Sequence, residues 1–149
     1  MAKVKECIAE DISTPSRFFI LKKDGVDDVL DEKPVVDYIG QYESSQIYFS
    51  YFPSILIRIR FTKAVDKIEE FSEALIDDAP RKTLAEFSKE IRKKYDLRKN
   101  ELKFIPSQID EHLPNGHYLN RTLITFWKRK MFILEFESNK NIDGKCSLI

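Results

Sequence analysis

Strict alternation of apolar and polar side chains identifies a β-strand in the middle of the chain. Ile55 to Thr62 reads I-L-I-R-I-R-F-T, so every second side chain is isoleucine or phenylalanine. Such alternation places one face of a strand in a core and the other face in water. An aromatic run, Gln46 to Phe52, precedes this strand, and Pro53-Ser54 separates the two. The pattern therefore predicts a hairpin with a short turn at Pro53-Ser54.

Further strand-like runs lie towards the two ends of the chain. Arg17 to Leu21 is a short aromatic and β-branched run, and Leu102 to Ile105 is a second short candidate. Thr122 to Trp127 and Met131 to Glu137 are both rich in residues that favour strands. Only three basic residues separate these last two runs, so they predict a second hairpin.

Between these strands the apolar spacing changes to that of a helix. Apolar residues recur every three or four positions over about 64–78, which predicts a first helix there. Pro80 ends it, because an interior proline removes a hydrogen-bond donor. A second helix is predicted over about 83–95, where Thr83 and Glu86 form a capping box before a run with helical periodicity.

The order of strands, two consecutive helices and strands again indicates an α+β fold. We expect an antiparallel sheet of about five to six strands, with both helices packed on one face. A length of 149 residues suits one core, so residues 1–149 are expected to form a single α+β domain. The core is expected to contain the large apolar residues at inward positions, namely Ile57, Ile59, Leu84, Phe87, Ile91, Leu134 and Phe136.

The charged residues divide unevenly along the chain. Residues 1–80 carry 10 basic and 16 acidic side chains, residues 81–149 carry 15 and 9, and the formal net charge is zero. If the halves occupy different faces, the resulting dipole would steer a charged partner; if their strands alternate in the sheet, the charges intermix.

The densest acidic stretch is a candidate partner-binding site. It contains Asp24, Asp27, Asp28, Asp31 and Glu32. Such a stretch would suit a basic protein partner through long-range attraction. The alternative is an ordinary solvated loop.

The sequence contains none of the common catalytic or cofactor motifs. Its four glycines are isolated, so it encodes no phosphate-cradling loop, and we expect no cofactor. Asp110, His112 and His117 carry groups that could bind a metal ion if the fold brings them together. However, they lack the helical i, i+4 spacing that places two ligands on one face, so we expect no metal. Basic residues cluster at 92–94, 98–99 and 128–130, but the chain has no overall positive charge, so nucleic acid is not the expected partner.

Two cysteines, Cys7 and Cys146, stand near opposite ends of the chain. The chain has no run of 18 apolar residues, and acidic residues interrupt Met1 to Ile20. We therefore expect no membrane partner, a cytoplasmic location and two free thiols. The alternative is a periplasmic or secreted protein with a Cys7–Cys146 disulfide, after removal of a signal peptide.

Three classes of function remain open on these grounds. The leading hypothesis is a non-enzymatic protein-binding domain, such as an inhibitor or a toxin-neutralising immunity protein, since a small chain with divided charge suits fast association. The second is an enzyme that uses His112 or His117 with nearby carboxylates, for example Glu135 and Glu137. The third is a structural or assembly subunit that self-associates through an exposed hairpin edge. The sequence leaves the oligomeric state open.

Overall fold

The computed structural model describes residues 2–23, 27–29, 49–64, 67–106 and 117–141. The helices are α1 (Ala2–Ile12), α2 (Leu84–Lys94) and α3 (Leu123–Lys128). The strands are β1 (Phe19–Lys23), β2 (Asp27–Asp28), β3 (Phe49–Phe61), β4 (Ile68–Ala74), β5 (Leu102–Ile105) and β6 (Ile133–Ser138). Short 3₁₀ turns lie at Ser16–Phe18, Ala79–Arg81, Lys99–Glu101 and His117–Asn120.

The six described strands form one mixed sheet around the long strand β3. β1 pairs antiparallel with the first part of β3, while β4 pairs antiparallel and β6 parallel with its second part. β2 extends the sheet beyond β1, and β5 extends it beyond β6. The predicted α+β class is confirmed, and most strand pairs are antiparallel as predicted.

The main core confirms the predicted set of apolar residues. Ile57 and Ile59 of β3 are fully buried and pack in one cluster with side chains of α2, α3 and β6. The other predicted members belong to the same cluster: Leu84, Phe87, Ile91, Leu134 and Phe136. α2 and α3 therefore cover one face of the sheet, and of these two only α2 corresponds to a predicted helix.

Helix α2 begins where the capping pattern predicted it. The Thr83 hydroxyl accepts a hydrogen bond from the backbone N–H of Glu86 at 3.2 Å, which satisfies one unpaired donor of the first turn. The last turn carries Arg92, Lys93 and Lys94, whose charges interact favourably with the helix dipole. The predicted helix over 83–95 is thus confirmed.

The predicted helix over 64–78 is wrong, because residues 68–74 form strand β4. β4 pairs with β3 from Ser54 to Arg60. Its inward residue Phe71 and the following Leu75 are four positions apart, a spacing that fits a strand as well as a helix. The edge of β3 decides the outcome, since the N–H and C=O groups of a buried strand need hydrogen-bond partners.

The first half of the predicted hairpin over 122–137 is also wrong. It forms helix α3, whereas the second half is strand β6 as predicted. Leu123 and Phe126 lie three positions apart and are both fully buried, which is the spacing of a helix face. Threonine, isoleucine and aromatic residues favour strands by local preference, but packing against the core overrides that preference here.

β3 is one continuous strand and not the two arms of the predicted hairpin. It runs through Pro53 and Ser54 without a turn. Pro53 pairs with Phe19 at the end of the β1 ladder, and its carbonyl accepts the N–H of Leu75 at 2.8 Å. Proline has no N–H to donate to a neighbouring strand. Because the ladder with β1 ends at Pro53, the missing N–H leaves few backbone hydrogen bonds unformed.

Helix α1 is an element that the sequence analysis did not predict. Its inward residues Ile8, Ala9 and Ile12 pack against Phe19 and other apolar residues of the β1 region in a second, smaller cluster. The sequence does contain a pattern that favours this helix, because apolar residues recur every four positions at Val4, Ile8 and Ile12. Phe19 lies across from Pro53 on the face that also carries the buried isoleucines of β3, so α1 lies on the same side of the sheet as α2 and α3.

Glu73 is a half-buried carboxylate on the core side of β4. Burial raises the pKa of Glu73, and the charge of Glu90 acts in the same direction. Lys82 and Lys94 lower it, but the net pKa is above the ordinary value for glutamate. The folded protein therefore holds a proton on Glu73 more tightly than the unfolded chain does.

We expect Glu73→Gln to stabilise the protein more at about pH 7 than at about pH 4. Proton binding to Glu73 favours folding, and this contribution is fully present below the ordinary pKa of glutamate. It is lost as the pH rises through the higher pKa of the folded state, whereas glutamine has no proton to lose. Thermal melting at both pH values measures the difference. The control is Glu6→Gln, at an exposed position of α1; a Glu73→Gln benefit that is larger at the acid pH contradicts the assignment.

Candidate functional site

The face of the sheet opposite α1, α2 and α3 carries none of the helices in the described ranges. Side chains alternate along a strand, so Arg58 and Arg60 of β3 point away from the core. The register places Glu70 of β4 and Glu135 of β6 directly beside Arg58. We call this surface the open face; along β3 to β6 it comprises Leu56, Arg58, Arg60, Ile68, Glu70, Ser72, Lys103, Ile105, Ile133, Glu135 and Glu137.

Arg58 stands at the centre of the open face between two glutamates. Its Nε donates to Glu70 Oε1 at 2.7 Å, and its Nη1 donates to Glu135 Oε1 at 3.3 Å. The hydrogen bond with Glu70 is the main cause that raises the pKa of Arg58; burial opposes it, and both carboxylate charges add to it. Exposed ion pairs contribute about 1 kcal/mol or less to folding. The arrangement therefore orients the guanidinium more than it stabilises the fold.

Glu70, Arg58 and Glu135 form one row of charged side chains across the strands, and a second row lies two residues further along β3 and β6. Arg60 stands across from Ile68 on one side and from Glu137 on the other. Glu137 in turn stands across from Lys103 of β5. Positive residues from the acidic half of the chain thus lie beside negative residues from the basic half. On this face the two halves intermix their charges, which is one of the two arrangements left open by the sequence.

The two rows enclose a shallow cavity of about 410 Å³. Its lining combines charged side chains with apolar ones, namely Arg58, Arg60, Glu70, Glu135 and Glu137 with Ile68, Ile105 and Phe136. Ile68 is 49% exposed, which makes it one of the most exposed large apolar residues in the described ranges. Apolar contacts combined with paired polar groups are the usual composition of protein interfaces. The lining of the cavity shares this mixed composition.

The acidic partner-binding stretch predicted from the sequence is described only in part. Asp27 and Asp28 form β2, which pairs with the last residues of β1 at the edge of the sheet. Asp24, Asp31 and Glu32 lie outside the described residues. The assignment of this stretch to a basic partner stays a prediction.

The residues of the enzyme hypothesis are not brought together in the described parts of the chain. Glu135 and Glu137 lie on the open face, whereas the 3₁₀ turn that begins at His117 packs against α2, on the other side of the sheet. His112 and Asp110 lie outside the described residues. Within the described ranges no three histidine, cysteine or carboxylate side chains are grouped to hold a metal ion. The part of the enzyme hypothesis that uses His112 stays a prediction.

Cys7 is an exposed free thiol on α1. Cys7 therefore forms no disulfide in this structure; Cys146 lies outside the described residues, and the compartment stays a prediction. None of the helices in the described segments is long and apolar enough to cross a membrane.

Sequence reasoning did not identify the Arg58 arrangement as a site. Alternation along β3 placed Arg58 and Arg60 on the polar face, but their partners depend on strand order. Glu70 and Glu135 are 12 and 77 positions away from Arg58 along the chain. No protein-family model matches this chain, and no curated protein matches it. The functional conclusion therefore depends on the geometry of the surface.

Proposed function

We propose that this chain is a non-enzymatic protein-binding domain that acts as an inhibitor or a toxin-neutralising immunity protein. The observation that carries the proposal is the guanidinium of Arg58, oriented by Glu70 and Glu135 at the centre of the open face. Arginine is one of the residue types that dominate binding energies at protein interfaces. A partner that covers this face would exclude water from the ion pairs and strengthen them.

The balance of charge on the open face favours a folded protein as the partner. Three basic side chains, Arg58, Arg60 and Lys103, stand among three acidic ones, Glu70, Glu135 and Glu137. A surface for nucleic acid would carry an excess of positive charge to replace counterions along the phosphates. Side chains of alternating charge instead suit a protein partner whose surface carries the complementary pattern of charges. Partners without that pattern are excluded, because they would bring like charges into contact.

Affinity capture from extracts of the producing cells tests the proposal. The baits are the unaltered chain, Ile68→Asp and Arg60→Glu, which change two exposed positions of the open face. A matched control is Lys89→Glu, which changes an exposed residue of α2 on the other side of the sheet. We expect one protein to be retained by the unaltered chain and the control, and to bind the open-face variants at least about tenfold more weakly, a loss of about 1.4 kcal/mol.

The identity of the captured protein then shows whether the chain acts as an inhibitor of an enzyme or as an immunity protein against a toxin. If it is an enzyme or a toxin, addition of the unaltered chain should suppress its activity at about one-to-one stoichiometry, as expected of a tight inhibitor. A further bait with Asp27→Lys and Asp28→Lys tests whether the acidic stretch contributes through a slower association rate. Equal retention by all baits, or no specific retention by the unaltered chain, would remove the open face from consideration.

A further inference from the structure

A second surface, on the helix-covered side of the sheet, combines aromatic rings with two cations that lie over them. Five rings contact one another in sequence there, with neighbouring centroids 4.5–6.4 Å apart. In order of contact they are Phe19, Tyr51, Trp127, Phe132 and Phe18. We call this group the aromatic belt. It joins the α1 region to α3 across the first part of β3.

Each end of the aromatic belt carries a cation. The Lys5 ammonium lies 5.4 Å from the centre of the Phe19 ring, and the Arg17 guanidinium lies 4.6 Å from the centre of the Phe18 ring. In the described ranges neither Lys5 nor Arg17 pairs with a carboxylate. Their positive charge is therefore available to a ligand, held in place by attraction to the ring faces.

The exposed part of the belt is its middle. Tyr51 is 43% exposed, although it is a large ring on the side of the sheet that faces the helices. Trp127 is half-buried and stacks on Tyr51 with an angle of 28° between the ring planes. Its Nε1 donates to the carbonyl of Phe18 at 2.8 Å, which fixes the indole. A rigid, partly exposed tyrosine and tryptophan pair is the type of anchor that dominates protein interfaces.

We propose that the aromatic belt is a docking surface for an acidic segment of another protein. Apolar side chains of that segment contact Tyr51 and Trp127, and its carboxylates pair with Lys5 and Arg17. Charge complementarity identifies this occupant, because the two cations beside the rings have no carboxylate partner in the described ranges. This surface lies on the opposite side of the sheet from the open face, so the proposal does not depend on the proposed function.

Single-stranded nucleic acid fits the belt less well than an acidic protein segment. Stacking of successive bases needs several exposed ring faces in a row. Here Phe18 and Phe19 are only 6% and 1% exposed, and their faces are occupied by Arg17 and Lys5. Tyr51 and the partly exposed rings of Trp127 and Phe132 remain for contact, and one face of Phe132 already stacks on Phe18. This suits a few apolar side chains rather than a series of bases.

Fluorescence titration tests the inference directly, because Trp127 is the only tryptophan of the chain. The probe is a synthetic peptide of about 12 residues, composed of glutamates around two central leucines. We expect a saturable change in tryptophan emission that is weakened at least about tenfold by Tyr51→Ala and at least about threefold by Arg17→Glu or Lys5→Glu. Tyr51→Phe, which keeps the ring, should restore binding, and Lys89→Glu should leave it unchanged.

Three outcomes would overturn the inference. The first is the lack of a saturable emission change up to millimolar peptide. The second is equal binding by an all-glutamate peptide of the same length, which would show that the rings contribute nothing. The third is tighter binding of an oligothymidylate than of the peptide at the same salt concentration, which would assign the belt to single-stranded nucleic acid. Circular dichroism of each variant checks that a loss of binding does not reflect unfolding.

Discussion

Replacement of Ile59 by alanine is expected to lower the free energy of unfolding by about 2–5 kcal/mol. Ile59 is fully buried in the middle of β3, and it lies between Glu69 of β4 and Phe136 of β6 in the sheet. Truncation removes buried methyl groups and leaves a cavity that the surrounding strands cannot close. Chemical denaturation followed by circular dichroism measures the change. An unchanged unfolding midpoint would contradict the burial of Ile59 and the strand assignment with it.

Ile68→Ala is the matched control for that experiment. Ile68 belongs to the same sheet but lies on the open face, where 49% of it is exposed. Its truncation is expected to cost about 0.5 kcal/mol, as is usual for surface substitutions. The comparison also tests the assignment of β4, because the helix first predicted over 64–78 would have placed Ile68 on its buried side. Equal costs for the two variants would favour the helix.

Replacement of Trp127 by alanine is expected to cost about 3 kcal/mol, at the lower end of the range for large aromatic truncations because the ring is only half-buried. The substitution removes the hydrogen bond from Nε1 to the carbonyl of Phe18 and the contacts with Tyr51 and Phe132. Phe18 lies in the turn that follows α1, so the loss should loosen the N-terminal region more than the main core. Hydrogen exchange resolved by residue distinguishes the two regions.

Lys130→Met tests a second contact that attaches the N-terminal region, at the end of α1, to the rest of the fold. The Lys130 ammonium donates to the carbonyls of Ser13 and Ile12 at 2.8 and 3.4 Å and to the Thr14 hydroxyl at 3.2 Å. It thereby satisfies carbonyls at the C-terminal end of α1. Removal of the charge is expected to cost about 1 kcal/mol and to speed amide exchange in α1. Lys128→Met, an exposed residue at the end of α3, is the control; equal exchange in the two variants would contradict this role.

The surfaces behind both proposals could not have been predicted from the chain alone. The open face depends on Glu70 and Glu135 meeting at Arg58, and a shift of one residue in either strand would turn those carboxylates towards the core. The aromatic belt depends on the contact of Tyr51 with Trp127, two residues far apart in the sequence. Residue types at such sites are visible in a sequence, whereas their distances follow only from strand order and register.

Local pattern is sufficient to predict an element where its period is unambiguous and only one environment is compatible with it. The alternation along residues 55–61 and 133–137 and the capped apolar stripe of α2 each fit a single structure, so the α+β class and the seven core residues could be predicted. Residues 68–74 and 123–128 fit two structures by local pattern. Long-range contacts select one of them: β4 forms backbone hydrogen bonds with β3, and α3 buries Leu123 and Phe126. Such contacts prevail because local preferences differ by about 1 kcal/mol or less per residue, while a strand ladder or a buried aromatic ring contributes more.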